Sequence, residues 1–151
     1  MLPKVILAFV CIFVYVGYAD ARDVALVSGK NSPVVVVKAA DLAQMIRTSH
    51  KWPDGHDLTL VIADPSSPEM RIFAQKVLAL STDDFKKLIA AANKARITFW
   101  VVSGDDETLR VLQSNPSAVG LVNVYSINSS VNVNKIDGKL PFESGYILHS
   151  Q

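Results

Sequence analysis

The chain has 151 residues, half of them hydrophobic, with 15 Lys and Arg against 14 Asp and Glu for a formal charge of +1, and a single Cys. This near-neutral balance excludes general nucleic-acid binding, which draws on a basic patch or stripe. The densest basic group, Lys86, Lys87, Lys94 and Arg96, reads as a solvated helix face.

Lys4, the apolar run from Val5 to Val16 and Ala19-Asp20-Ala21 supply the three parts of a secretory signal, with an apolar stretch too short to span a bilayer comfortably. The expectation is a signal over residues 1–21 and a single domain over 22–151 in the periplasm or outside the cell. An uncleaved signal is the only membrane attachment expected. Ala8-Phe9-Val10 before Cys11 is a poor lipoprotein box. Cleavage after Ala21 removes Cys11, Lys4 and Asp20, so the charge stays the same and disulfides, thiolate catalysis and zinc–thiolate sites are excluded.

Val24 to Val27 and Val34 to Val37 read as extended segments. Ala39, Leu42, Ala43 and Ile46 recur at helical spacing and stop before the turn Trp52-Pro53-Asp54-Gly55. Leu58 to Ile62 reads as a buried strand, followed by the turn Asp64-Pro65-Ser66-Ser67-Pro68 and a helix from Pro68 to about Leu80. Ser81 with Asp84 forms a capping signal for a helix carrying Phe85, Leu88, Ile89 and Ala92. Ile97 to Val102 is the next strand, with Trp100 expected in the core. Ser103 is the expected N-cap of a helix with Asp105, Asp106 and Glu107 in its first turn. Val119 to Val122 and Val131 to Ile136 read as two further strands, and Asp137-Gly138 as a hairpin-type turn. This alternation predicts an α/β domain with a mixed, largely parallel sheet covered on both faces.

A strand feeding a helix through a Ser-bearing loop aims backbone N–H groups and the positive helix end at one point, which suits an oxyanion. Ser66 and Ser67 are therefore the candidate ligands, with the alternative that one of them simply caps the helix. Arg71, one turn into the helix, is the candidate cation, although a solvated surface Arg is the simpler reading. His50, Asp54, His56 and Asp57 cluster in one loop but fit no zinc motif, and the turn accounts for Asp54. The pairs Asp83-Asp84 and Asp105-Asp106 are explained by helix-start electrostatics. No nucleophile elbow, phosphate-binding loop or dinucleotide fingerprint occurs, so neither an enzyme nor a cofactor is expected.

The segment from Leu58 to Phe73 resembles the phosphate-binding segment of the periplasmic phosphate-binding proteins, the solute receptors of phosphate ABC importers. Their pattern is roughly Arg-x-Asp-Gly-Ser-Gly-Thr-x-x-x-Phe. With Phe73 on the family Phe, Ser67 falls on the ligand Ser, while Ala63, Pro68 and Glu69 replace Arg, Gly and Thr. Ala40 to Ile46, Lys51 to Gly55, Ser81 to Phe85 and Ser114 to Val122 agree with the family in the same order. The resemblance implies one lobe of a two-lobed receptor, a phosphate or other small oxyanion as ligand, and an ABC importer as partner. The lost Arg and Gly leave a second reading open, a periplasmic protein-interaction or sensor module without ligand. Without a covalent partner lobe, the face at the strand ends is expected to be covered by a symmetric homodimer or another periplasmic protein, the alternative being a polar, solvated face.

Overall fold

The computed structural model describes residues 23–34, 36–94 and 98–150. The expected signal over 1–21, Cys11, Val35, Arg96 and Ile97 lie outside the described residues. In chain order the elements are β1 (Val24–Gly29), β2 (Val36–Val37), α1 (Ala39–Gln44), β3 (Thr59–Ile62), α2 (Pro68–Lys76), α3 (Thr82–Lys94), β4 (Thr98–Val101), α4 (Asp105–Gln113), β5 (Ala118–Asn123), β6 (Val131–Val133) and β7 (Lys135–Ile136). Helix α1 runs on into a wider π-helical turn over Met45–Ser49.

Five strands form one sheet in the order β4-β3-β5-β1-β6. β3 pairs parallel with β4 and β5, while β1 runs antiparallel to both β5 and β6. Four of the five strands thus point the same way, and the sheet is mixed and largely parallel. β2 and β7 make a separate parallel pair.

Both faces of the central strands are buried, which is why these segments are almost continuously apolar. Leu26, Leu60 and Leu121 face α1, α2 and α3, where they meet Leu42, Met70, Phe73 and Phe85. Ala25, Val27, Val61 and Val122 face α4 through Leu109 and Leu112. Gly120 lets α4 come this close: a Cβ there would lie 2.5 Å from the Thr108 methyl and 3.0 Å from a Leu112 methyl.

The expected strand from Val131 to Ile136 is divided at Asn134, so that β6 joins the main sheet and β7 leaves it for β2. Trp100 is not in the core but 44% exposed. β4 is an edge strand of the sheet, and α4 packs mainly across β5, β1 and β3. Helix α2 stops at Lys76 rather than Leu80, because Ala79 turns left-handed (φ 52°) and the Leu80 N–H closes on the Ala74 carbonyl at 2.9 Å.

The C-terminal segment is strapped to the start of β1. The Val24 N–H donates to the Leu148 carbonyl (3.0 Å), and the Tyr146 hydroxyl donates to the Val24 carbonyl (2.7 Å). Burial pushes the Tyr146 phenol well above its usual range, so it stays a donor. Asp23 accepts the Phe142 N–H at 3.2 Å and lies against His149. Among the described residues no helix is long and apolar enough to cross a membrane.

Candidate functional site

Parallel β3, β4 and β5 deliver their following loops to one edge of the sheet, where ligand sites of open α/β sheets form. The turn after β3 is folded by its own side chains. The Asp64 carboxylate accepts the Ser66 N–H at 2.8 Å, and the Asp64 carbonyl accepts the Ser67 N–H at 2.9 Å. Ser67, extended at φ −64° and ψ 154°, is the N-cap of α2, its hydroxyl oxygen accepting the Met70 N–H at 3.3 Å. Pro68 takes the first helical position, where it has no N–H to give. Of the two candidate ligands, Ser67 is thus the cap and Ser66 is exposed. Arg71 lies exposed on α2, with its N–H bonded to the Ser67 carbonyl at 3.0 Å.

Helix α4 begins differently from the expectation. Gly104, not Ser103, stands at the N-cap and makes no side-chain cap bond. Ser103 lies one residue outside the helix and donates both its N–H (2.8 Å) and its hydroxyl (2.7 Å) to the Glu107 carboxylate. These two bonds, the backbone one first, hold the Glu107 carboxyl below its usual range.

Asn123, the last residue of β5, ties the two helix starts together. Its side-chain amide donates to Glu69 in the first turn of α2 (3.1 Å), and its N–H donates to Asp105 in the first turn of α4 (3.1 Å). The Ser126 hydroxyl adds a 2.6 Å bond to the same Asp105 oxygen. Each positive helix end is thereby faced by a carboxylate of this chain. The loop after β3 and the first turns of α2 and α4 carry Asp64, Glu69, Asp105, Asp106 and Glu107 against Arg71, which lies exposed in the first turn of α2. Glu69, Asp105, Asn123 and Ser126 form the network that residue reading missed. Its only signal was the acidic start of α4, which helix electrostatics explained without reference to β5.

The loop residues His50, Asp54, His56 and Asp57 do not converge on one point. His50 lies 3.0 Å from the Thr98 hydroxyl, Asp54 binds His56 and Lys51 binds Asp57. Among the described residues no three His, Cys, Asp or Glu side chains come together to hold a metal.

No family model and no curated protein matches the sequence. Solved structures do match. A Clostridium perfringens protein described as a phosphate ABC transporter substrate-binding protein, with bound phosphate, superposes at TM-score 0.61 with 18% identity, over 78% of this chain and 46% of its own. An ABC-type phosphate transport receptor from Vibrio cholerae gives TM-score 0.67 and 16% identity, over 85% and 54%. PstS from Borrelia burgdorferi gives 0.64 and 12%, over 86% and 55%. The chain thus has the fold of part of these phosphate receptors, which are binding proteins, and it spans about half of their length.

Proposed function

We propose that this chain is an exported, non-enzymatic receptor-like lobe that has given up independent oxyanion capture and works as a protein-interaction or sensor accessory module. One observation carries the reading: the Ser66 and Asn123 N–H groups, the Asn123 side-chain amide and the Ser126 hydroxyl at this edge are already bonded to the chain's own carboxylates. An incoming phosphate would have to displace charge-assisted partners among five carboxylates, without a bidentate Arg and without an amide at Pro68. The edge is then covered by a second copy of the chain or by another periplasmic protein. Light scattering over a dilution series, with cross-linking in periplasmic extract, tests this. A concentration-dependent dimer or a discrete cross-linked partner supports it, and a strict monomer without partner contradicts it.

The likeness to a receptor solved with bound phosphate favours a second reading. In it the lobe captures phosphate or another small oxyanion for an ABC importer through Ser66, Ser67 and Arg71, with the cleft completed by a second chain. Both readings place the protein outside the cytoplasm after cleavage behind Ala21. Mass spectrometry of the periplasmic fraction should find Arg22 as the first residue, and Met1 retained in a membrane pellet contradicts export by cleavage.

A further inference from the structure

At the opposite end of the sheet from the carboxylate-lined edge lies a cavity of about 490 Å³, open to solvent. Its walls come from three segments: Pro33, Val34 and Val36 after β1, Trp52 and Pro53 ahead of β3, and Pro116 ahead of β5. The volume falls within the roughly 300–1,000 Å³ of small-molecule sites, which are mostly apolar with a few placed polar groups.

The walls are fixed before any ligand arrives. The Trp52 indole N–H donates to the Ser117 carbonyl at 2.9 Å, the Trp52 main-chain N–H to the His56 carbonyl at 2.8 Å, and the Gly55 N–H to the Trp52 carbonyl at 2.9 Å. The three prolines remove further backbone freedom, so little ordering is lost on binding. Val36, 58% exposed, leaves an apolar surface uncovered beside the opening.

The lining carries one carboxylate, Asp54, beside the His56 imidazole. Asp54 accepts the His56 N–H at 3.0 Å and faces the His56 Nδ1 at 3.0 Å. These bonds hold its carboxyl below the usual range, so it remains an anion at the mouth. Lys51, the neighbouring cation, is occupied by Asp57 at 2.9 Å.

We propose that this cavity binds a small cationic amphiphile, its aromatic or branched aliphatic body against Trp52 and the prolines and its ammonium group at the Asp54 carboxylate. A carboxylate head would meet Asp54 with like charge, and a neutral head would forgo the ion pair. The site is separate from the carboxylate-lined edge and stands whether or not that edge docks a protein.

Three probes with one body and different heads test it: phenethylamine, phenethyl alcohol and phenylacetate. Trp52 and Trp100 are the two tryptophans, so Trp52 fluorescence is read in a Trp100→Phe chain, and the Trp52 indole N–H resonance gives the same reading in the unaltered protein. Phenethylamine should saturate with a Kd below about 1 mM. The alcohol should bind up to about fivefold more weakly, the limit for an exposed ion pair, and phenylacetate more weakly still. Val36→Lys places a cation at the mouth without touching the Trp52 turn and, by offsetting Asp54, should bring the affinities for amine and carboxylate together. No saturable Trp52 response to the amine at about 10 mM, equal affinity for the three heads in the unaltered site, or an undiminished preference for the amine in Val36→Lys would each overturn the proposal.

Discussion

Removing the Asp105 carboxylate tests the internal occupation of the cleft edge. In Asp105→Ala, the Asn123 N–H and the Ser126 hydroxyl lose their acceptor, at 3.1 and 2.6 Å respectively. A hydrogen bond to a charged group contributes about 1.5–3 kcal/mol, and a carboxylate at a helix start about 0.3–1 kcal/mol. Asp105 is half-buried, so solvent screens part of this. The expected loss is about 3 kcal/mol, which lowers Tm by roughly 6–12 °C for a chain of this size. Thermal unfolding followed by circular dichroism, with and without phosphate, separates lost structure from freed donors. If Asp105 stands where an anion would sit, phosphate at tenfold over its Kd returns about 1.4 kcal/mol to the variant and leaves the wild type unmoved. A variant within about 0.5 kcal/mol of wild type, or equal stabilisation of both proteins by phosphate, would refute the reasoning.

Gly120→Ala puts a methyl group against Thr108 and Leu112 and should cost about 1–3 kcal/mol by overpacking, read as a lower urea midpoint at unchanged slope. Phe85 sits edge-on to Phe73 and Phe99, with ring centres 6.1 and 5.8 Å away. Phe85→Ala should therefore cost about 3–5 kcal/mol, and a loss under about 1.5 kcal/mol would place the core elsewhere. The Glu107 carboxyl is held below its ordinary value of 4.5, so its contribution is present above that value and is lost as pH falls through the lower folded-state value. Glu107→Gln should therefore lose less stability than wild type between about pH 7 and about pH 3, whereas equal losses would remove Glu107 from the account.

Much of the fold was legible because local chemistry and tertiary placement agree. The Ser81 hydroxyl accepts the Asp84 N–H at 3.1 Å as the capping signal requires. The apolar runs of β3 and β5 became the buried centre of the sheet. Trp52 anchors its turn through Ser117. The reading failed where neighbours in space decide the outcome. Trp100 has the composition of a core residue, but its strand lies at the sheet's margin, a consequence of strand order that no local pattern encodes. Ser103 is a good cap by type, yet Glu107 draws its N–H and hydroxyl away from the helix. The network at the cleft edge joins Asn123 to residues 18 and 54 positions away. Only the arrangement of β3, β4 and β5 in one edge brings those residues together. The Ser66-Ser67 turn was visible from the start, but the bonds that use up its amides are visible only in three dimensions.

The most direct test of the central claim is titration calorimetry of the purified chain with phosphate, alongside sulfate as a second oxyanion. With the Ser66 N–H, both Asn123 donors and the Ser126 hydroxyl held by Asp64, Glu69 and Asp105, no saturable heat is expected for a Kd tighter than about 1 mM. Stoichiometric phosphate binding in the nanomolar to low micromolar range would contradict the account and restore Ser66, Ser67 and Arg71 as working ligands.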